Sequence, residues 1–437
     1  MGSSTAQQKP HVVLVPFPAH GHVAPHVQLA RALHARGVHA TLVHTELHHR
    51  RLLQAAKAAA DDAATAAPAD EAFAVEARRA AGHLRRGRHP DAVRGRGGAR
   101  GRRPGRAVLH GVRGRLMGYL QFQELVAREI VPLSPAYETD GSLDAPLDWV
   151  PGMKGALRLR DMPTFCRTTD ADDWLLHFHV HQMKIAAASK AVILNTVDDM
   201  EKDVLDALAP LLPPIYTVGP LASVVVALAS TAAAATTTST MGVLQEDKEC
   251  MAWLDGKAAR SVVYFSVGSH ASMGDAQLKE IASGLARCGS PYLWVLRPEM
   301  AAEVEVGEDG LVVPWCPQEA VLNHPAVGLF VTHCGWNSIL ESVVAGVPVL
   351  GCPVLSEQTT NCRQVCMAWG IGGELPQGAG SDEIAGLVRE MMTGRKGKDA
   401  REKTLLWKRL AQLSAQQGGS SYDNIGRLVE NILLKEI

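Results

Sequence analysis

His333, Asn337, Ser338 and Glu341 fall within nine residues of one another in "FVTHCGWNSILESVVAGVPVLGCP", residues 330–353. The apolar run ending near Thr332 reads as a buried strand, and the turn "HCGW" delivers the chain into a helix that starts near Asn337 and ends at Gly346. The first turn of such a helix carries N–H groups without intrahelical partners and the positive end of the helix dipole. His333, Asn337 and Ser338 add side-chain donors, and so many converging donors suit a phosphate or diphosphate better than a carboxylate. Two structural roles compete with that chemistry. Asn337 or Ser338 can serve only as an N-cap, and Glu341, three residues after Ser338, can complete a capping box instead of accepting from a ribose hydroxyl.

The elements that must position these groups alternate along the chain. "HVVLVPF" (11–17) has the composition of a buried strand, Pro25 can occupy the first turn of a following helix, Val27, Ala30 and Leu33 share one face, Gly37 can close it, and "VHATLVH" (38–44) resumes a strand. In the second half "SVVYFSV" (261–267) leads through Gly268 and Ser269 to a helix around 275–288 and the strand "YLWVL" (292–296), followed by "VGLFVTH", a helix and "VPVLGCP". Such alternation predicts parallel, doubly wound α/β sheets, whose ligands bind beyond the carboxyl ends of the strands. A chain of 437 residues is long enough for two such domains facing a cleft.

Composition narrows the function classes. The chain is 46% hydrophobic and 20% charged with a net charge of −1, as expected of a soluble globular protein. Its eight cysteines (Cys166, Cys250, Cys288, Cys316, Cys334, Cys352, Cys362, Cys366) show no paired CxxC spacing, which suits a reducing compartment and speaks against structural zinc. The polar start "MGSSTAQQKP" has no apolar signal core, so neither export nor an anchor is expected, and a cytoplasmic location follows. "LASVVVALASTAAAA" (221–235) is broken by serines and too short for a membrane span, and reads as a flexible or weakly helical linker. No GxGxxG follows either leading strand, which disfavours a dehydrogenase.

Arg78 to Arg115 stands apart. It holds thirteen arginines, no lysine, one acid (Asp91) and no aromatic residue, a charge of +12 that leaves −13 on the rest. No strand of ordinary length with a buried face can be drawn through it. Arg-Gly content of this kind is compatible with binding single-stranded RNA. A stretch foreign to the surrounding fold, such as a shifted reading frame would produce, explains it with fewer assumptions, since this composition cannot bury enough apolar surface to pack.

The neighbours of the opening stretch extend it into a longer pattern. "WCPQEAVLNHP" (315–325) precedes it and "SEQTTN" (356–361) follows, so that Trp315 to Gln358 spans 44 residues. That segment resembles the donor-binding signature of the plant family-1 UDP-glycosyltransferases, in length and nearly in wording. The resemblance implies a GT-B fold of two Rossmann-like domains facing an interdomain cleft. It implies that Trp315 stacks on uracil, the Cys316 backbone pairs with the base edge, Gln318 and Glu341 bind ribose, and His333, Asn337 and Ser338 hold the diphosphate. Trp336, Glu357 and Gln358 would contact the sugar hydroxyls, with Gln358 the mark of glucose over galactose. Cys352 departs from the family's usual Trp. "SVVYFSVGS" matches the opening of the family's C-terminal domain, where Ser269 would touch a phosphate oxygen, and "GGSSYDNIGRLVENIL" (418–433) matches its closing helix. "DWVPGMKGALRLRDMPTF" (148–165) and "AVILNTVDDME" (191–201) are similar to the cyanohydrin-glucosylating subgroup.

"PFPAHGHVAPHVQLARAL" resembles the family's acceptor-side loop, in which the His of "GH", here His22, is the general base. His20 lies one residue too early for that motif and His26 should sit on the helix. A neutral imidazole takes the proton of an attacking alcohol as the new bond forms. In the family an Asp at the end of a buried strand orients this His. The corresponding place here falls in or beside the arginine-rich segment, and Asp91 is in the wrong surroundings for the role.

The expected boundaries are 1–241 for an acceptor-binding domain with its linker, anomalous over 77–115, 242–420 for a UDP-sugar-binding domain, and 421–437 for a helix returning to the N-terminal domain. The expected reaction is inverting glucose transfer from UDP-glucose to a hydroxyl of a small metabolite, in a monomer needing no metal or other cofactor and no nucleic acid. Two alternatives stand beside it: a UDP-sugar-binding chain impaired for want of the orienting Asp, and an Arg-Gly nucleic-acid binder.

Overall fold

The computed structural model describes residues 10–17, 20–46, 107–110, 113–153, 157–231, 249–268 and 273–434. Eleven strands in these residues form three parallel sheets. The largest holds β6 (Val262–Ser266), β7 (Tyr292–Val295), β8 (Gly310–Val313), β9 (Val327–Thr332), β10 (Val349–Gly351) and β11 (Gly372–Glu374), in the order β11-β10-β9-β6-β7-β8. The connections run outward in both directions from β6, so the switch point lies between β6 and β9, where a doubly wound sheet opens a crevice. The sequence builds this sheet by alternation. Tyr264, Phe330 and Val349 enter one core and Phe265, Leu329, Val331, Trp294 and Leu350 the other. Both faces are sealed, with Tyr264 stacked on Phe330 at 4.9 Å and Phe265 on Trp294 at 5.2 Å. Burying each such side chain contributes about 1.5–3 kcal/mol.

The N-terminal half holds two smaller sheets. β1 (His11–Leu14) pairs with β2 (His39–Leu42) across the helix His20–Ala35, giving the β-α-β unit expected from the sequence, and Gly37 closes that helix at φ +80°. β3 (Ala107–His110), β4 (Ala191–Leu194) and β5 (Ile215–Thr217) form the second sheet in that order. Leu29, Leu33 and Val38 share one core with Ile193, Tyr216 and Val218, so the two sheets meet through packing, although among the described residues no hydrogen-bonded strand pair joins them.

Four sequence expectations change here. The run 11–17 is not buried on both faces: Val13 is 58% and Phe17 68% exposed, and among the described residues β1 has a strand on one side only. Pro25 is not in the first helical turn, since the helix already begins at His20. The arginine-rich segment does yield a strand at its apolar end, where Ala107–His110 pairs with the fully buried β4; Asp91 and the greater part of the segment lie outside the described residues. The stretch 221–235 is no mere linker, because Leu221–Thr231 is a helix whose Leu221, Val224 and Leu228 are buried against β4, β5 and the helix Ser420–Leu428. That last helix packs on β5, with Ser421 donating to the Gly219 carbonyl and Asn424 to Thr217.

Candidate functional site

Strand register sets the site. Gly351, Thr332, Ser266, Val295 and Val313 lie on one line across five neighbouring strands, so the chain leaves β10, β9, β6, β7 and β8 at one level. The segments just beyond that line hold Cys352 to Gln358, His333 to Ser338, Gly268, and Trp315 to Gln318. The 44-residue pattern is therefore folded onto one edge of one sheet, at the switch point.

At its centre is the helix Trp336–Ala345, capped by Gly335 and ended by Gly346 at φ +78°. No side chain caps its N-terminus, so Asn337 and Ser338 are not N-caps and Ser338 with Glu341 forms no capping box. Each is turned to another partner. Ser338 and Glu341 both accept from the Gln318 amide, at 3.1 and 2.6 Å, while the Tyr264 hydroxyl donates to Gln318 Oε1 at 3.0 Å. Because Tyr264 fixes the oxygen end, the amide nitrogen of Gln318 must face the helix. Burial pushes the Glu341 carboxyl up to about 8, with the Gln318 hydrogen bond acting in the opposite direction. Asn337 donates to the carbonyl of Gly21 at 2.8 Å, which brings the first turn of the helix His20–Ala35 against the head of this one.

His333 is wedged between two glycines. A Cβ on Gly268 would lie 2.8 Å from its Cε1 and one on Gly335 2.3 Å from its Nε2, so both positions must lack a side chain for the ring to sit there. Cys334 follows with φ +62°, and its carbonyl accepts from Asn361 at 2.9 Å. This turn aims the helix N-terminus and its donors out of the sheet edge.

Trp315 is half-buried after β8, and Cys316 is buried with its thiol 3.3 Å from the Tyr264 hydroxyl. Glu357 accepts from the Ser356 hydroxyl. Gln358 Oε1 accepts from the backbone N–H groups of Val354 and Leu355 at 2.9 and 3.1 Å, which braces the loop after β10. Cys352 joins the core on that side, its N–H donating to Thr332, and burial raises its thiol to about 11. Trp336 does not fit the expectation of a sugar-contacting side chain. Its ring is 4% exposed against Trp369 and its indole N–H donates to the Asn195 carbonyl at 2.7 Å, so it joins the two halves of the chain. Ser269 lies outside the described residues.

His22 is exposed in the first turn of its helix, with the Phe17 ring edge-on at 5.4 Å. His26, one turn later, directs Nδ1 to the His22 carbonyl at 2.7 Å. Tyr264, Asn195, Thr164, Tyr119 and Ser356 support the site and carry no sequence signal. Tyr264 reads as one more apolar strand position, and the others matter only through partners far away in the chain.

The geometry offers a helix N-terminus with no side-chain cap, an amide fixed beside a carboxyl whose pKa burial raises, a half-buried indole after the edge strand, and the exposed His22 in a helical turn whose Gly21 carbonyl Asn337 contacts. Among the described residues no group of three or more histidine, cysteine or acidic side chains is placed to hold a metal, and no helix is long and apolar enough to cross a membrane.

Comparison with known proteins bears on the family and the fold. The family model described as UDP-glucoronosyl and UDP-glucosyl transferase matches residues 112–400. (R)-mandelonitrile beta-glucosyltransferase of Prunus dulcis is 42% identical over 332 residues, covering 73% of this chain and 68% of that enzyme. Linamarin synthase 1 of Manihot esculenta is 33% identical over 504 residues, covering 100% of this chain and 99% of that protein. The more identical relatives are matched over about two thirds of their own length. Among solved structures, UGT71G1 of Medicago truncatula complexed with UDP-glucose shares the fold with a TM-score of 0.71 at 22% identity, over 97% of this chain and 98% of that one.

Proposed function

This chain belongs to the UDP-glucoronosyl and UDP-glucosyl transferase family, and on that premise we propose that it transfers glucose from UDP-glucose to a hydroxyl of a small-molecule acceptor, inverting the anomeric centre to give a β-glucoside. The observation that carries the proposal is the gathering of Trp315, Gln318, His333, Asn337, Ser338, Glu341, Glu357 and Gln358 along one sheet edge around one helix N-terminus.

In this reading Trp315 stacks on uracil beside the Cys316 backbone, Gln318 and Glu341 take the ribose, and the helix N-terminus with His333, Asn337 and Ser338 takes the diphosphate, to which Ser269, outside the described residues, adds a contact as the resemblance implies. Glu357 and Gln358 face the sugar, and Gln358 favours glucose because an amide donates to one hydroxyl and accepts from another. Trp336 contributes through its backbone at the head of the helix, its side chain being committed elsewhere.

The reaction is a single displacement. The acceptor oxygen attacks the anomeric carbon while its proton passes to the His22 ring, and the bond to the diphosphate oxygen breaks. Preorganised helix N–H groups stabilise the charge gathering on departing UDP without help from a metal. The Asn337–Gly21 contact supports the pairing of these two parts, because it joins the turn bearing His22 to the first turn of the helix Trp336–Ala345.

The acceptor is a hydroxylated metabolite of plant secondary metabolism, bound over 1–241, while 242–420 holds the donor and 421–437 returns to the N-terminal side. Eight cysteines, none in a disulfide, support a reducing, cytoplasmic setting, and the protein acts as a monomer. The comparisons lend no support to an impaired chain or to a nucleic-acid binder. Incubation with UDP-glucose and a panel of hydroxylated acceptors, with products identified by mass and anomeric coupling, tests the proposal. A β-glucoside is expected; release of free glucose without any glucoside, or an α-product, overturns it.

A further inference from the structure

A hydroxyl chain runs from the N-terminal half to the donor-sugar end of the site. Ser356 Oγ donates to Glu357 Oε2, and the Tyr119 hydroxyl lies 3.3 Å from that same Ser356 Oγ. A serine hydroxyl has one proton. Since Ser356 spends it on the carboxylate, Tyr119 must be the donor in the second bond, and the chain has one direction: Tyr119 to Ser356 to Glu357.

Tyr119 and Ser356 are each held by other contacts. Tyr119 is 8% exposed and stacks on His179 at 4.9 Å with the rings nearly parallel, while His179 stacks in turn on Phe165 at 4.5 Å. His179 is pinned by its Nδ1 contact with the Leu175 carbonyl at 2.7 Å. Ser356 sits at φ +63°, a conformation an L-residue adopts only when its surroundings impose it. Thr164 imposes it: the Ser356 N–H donates to Thr164 Oγ1 at 2.7 Å and the Thr164 N–H to the Ser356 carbonyl at 2.9 Å. Two hydrogen bonds from one residue of the N-terminal half, one through its side chain and one through its backbone, therefore lock the loop after β10 in place, and a third group from that half supplies the proton that orders its hydroxyl.

We propose that Tyr119 and Ser356 are positioning residues which hold the Glu357 carboxylate in the orientation that receives the sugar of the donor. The inference rests on the donor reading above and adds that sugar recognition is set partly by the acceptor half. The Ser356 hydrogen bond restricts the rotation of the carboxylate and the Tyr119 proton orders that hydroxyl in turn, so loss of the Tyr119 proton loosens the Ser356–Glu357 bond. The uracil, ribose and diphosphate contacts lie elsewhere on the sheet edge and are untouched.

The test compares UDP-glucose, UDP-galactose and UDP on the full chain. Tyr119→Phe keeps the ring stack and removes only the hydroxyl; Ser356→Gly removes the second hydroxyl while tolerating the positive φ. Each is expected to raise KM for UDP-glucose by roughly fivefold, the size of one hydrogen bond. Each should also narrow the preference for UDP-glucose over UDP-galactose and leave calorimetric UDP affinity unchanged. The double variant should be no worse than the poorer single one, because the two act in series. Unchanged KM and sugar preference in Tyr119→Phe overturn the proposal, as does an equal loss of UDP affinity, which marks a general structural effect. An unmodified protein that binds no UDP-glucose overturns the donor reading itself, a result distinct from either.

Discussion

Asn337 and Pro25 meet at one oxygen. Pro25 has no N–H, so the carbonyl of Gly21, four residues earlier in the same helix, lacks its intrahelical donor, and the Asn337 side chain donates to it at 2.8 Å instead. A missing hydrogen bond in the helix His20–Ala35 thus becomes the docking point for the head of the helix Trp336–Ala345.

That relationship predicts a coupled pair. Asn337→Ala should lower stability by about 1 kcal/mol and weaken UDP binding as a separate effect. Pro25→Ala restores a backbone donor for Gly21, so in that background Asn337→Ala should cost less stability, by about 0.5–1 kcal/mol, with the same loss of UDP affinity. Denaturant melts and calorimetry of the four proteins check both, and strict additivity in the melts would remove the shared oxygen as the cause.

At the nucleotide end, Trp315→Ala is expected to weaken UDP binding by about 1–3 kcal/mol through lost stacking. Tyr264→Phe should act more subtly. Without its hydroxyl the Gln318 amide loses the partner that fixes which end faces Ser338 and Glu341, and UDP affinity should fall by a few fold, on the order of one hydrogen bond. A Tyr264→Phe protein indistinguishable from the parent in UDP titrations would show that the amide is oriented by other means.

Glu341 makes stability pH-dependent. Burial raises its pKa to about 8 from an ordinary 4.5, so the folded protein holds a proton that the unfolded chain releases. The stabilisation this supplies is full below about 4.5 and is lost as pH rises through about 8. Glu341→Gln cannot ionise. Its melting temperature should therefore gain on the parent steadily as pH goes from about 5 to 8.5, and a constant difference over that window would rule the assignment out.

His22→Ala should cut kcat by about two to four orders of magnitude, the usual worth of a general base, while UDP affinity stays within about twofold of the parent. Stopped-assay rates and UDP titrations on the same preparation separate these. Comparable loss of both would place His22 in binding or folding.

The sequence by itself determined the local fold of the segment from Trp315 to Gln358, because its information is local. From Trp315 to Gln358 the order of residues fixes a strand, a turn with Cys334 in the left-handed region, a helix ended by Gly346, and the next strand, and parallel pairing then has to bring those segments to one edge. Which partner each polar side chain takes was decided only in three dimensions. A cap role stayed open for Asn337 and Ser338 until the packed structure put Gly21 and Gln318 within their reach, and Trp336 passed for a sugar contact until the Asn195 carbonyl claimed its N–H. The contacts of Tyr264 with Gln318, Tyr119 with Ser356 and Asn337 with Gly21 cross 54, 237 and 316 residues of chain. No periodicity or motif spacing encodes them, because a hydrogen bond needs only that two groups arrive at the same place, and that is a property of the packed sheets and not of any one segment.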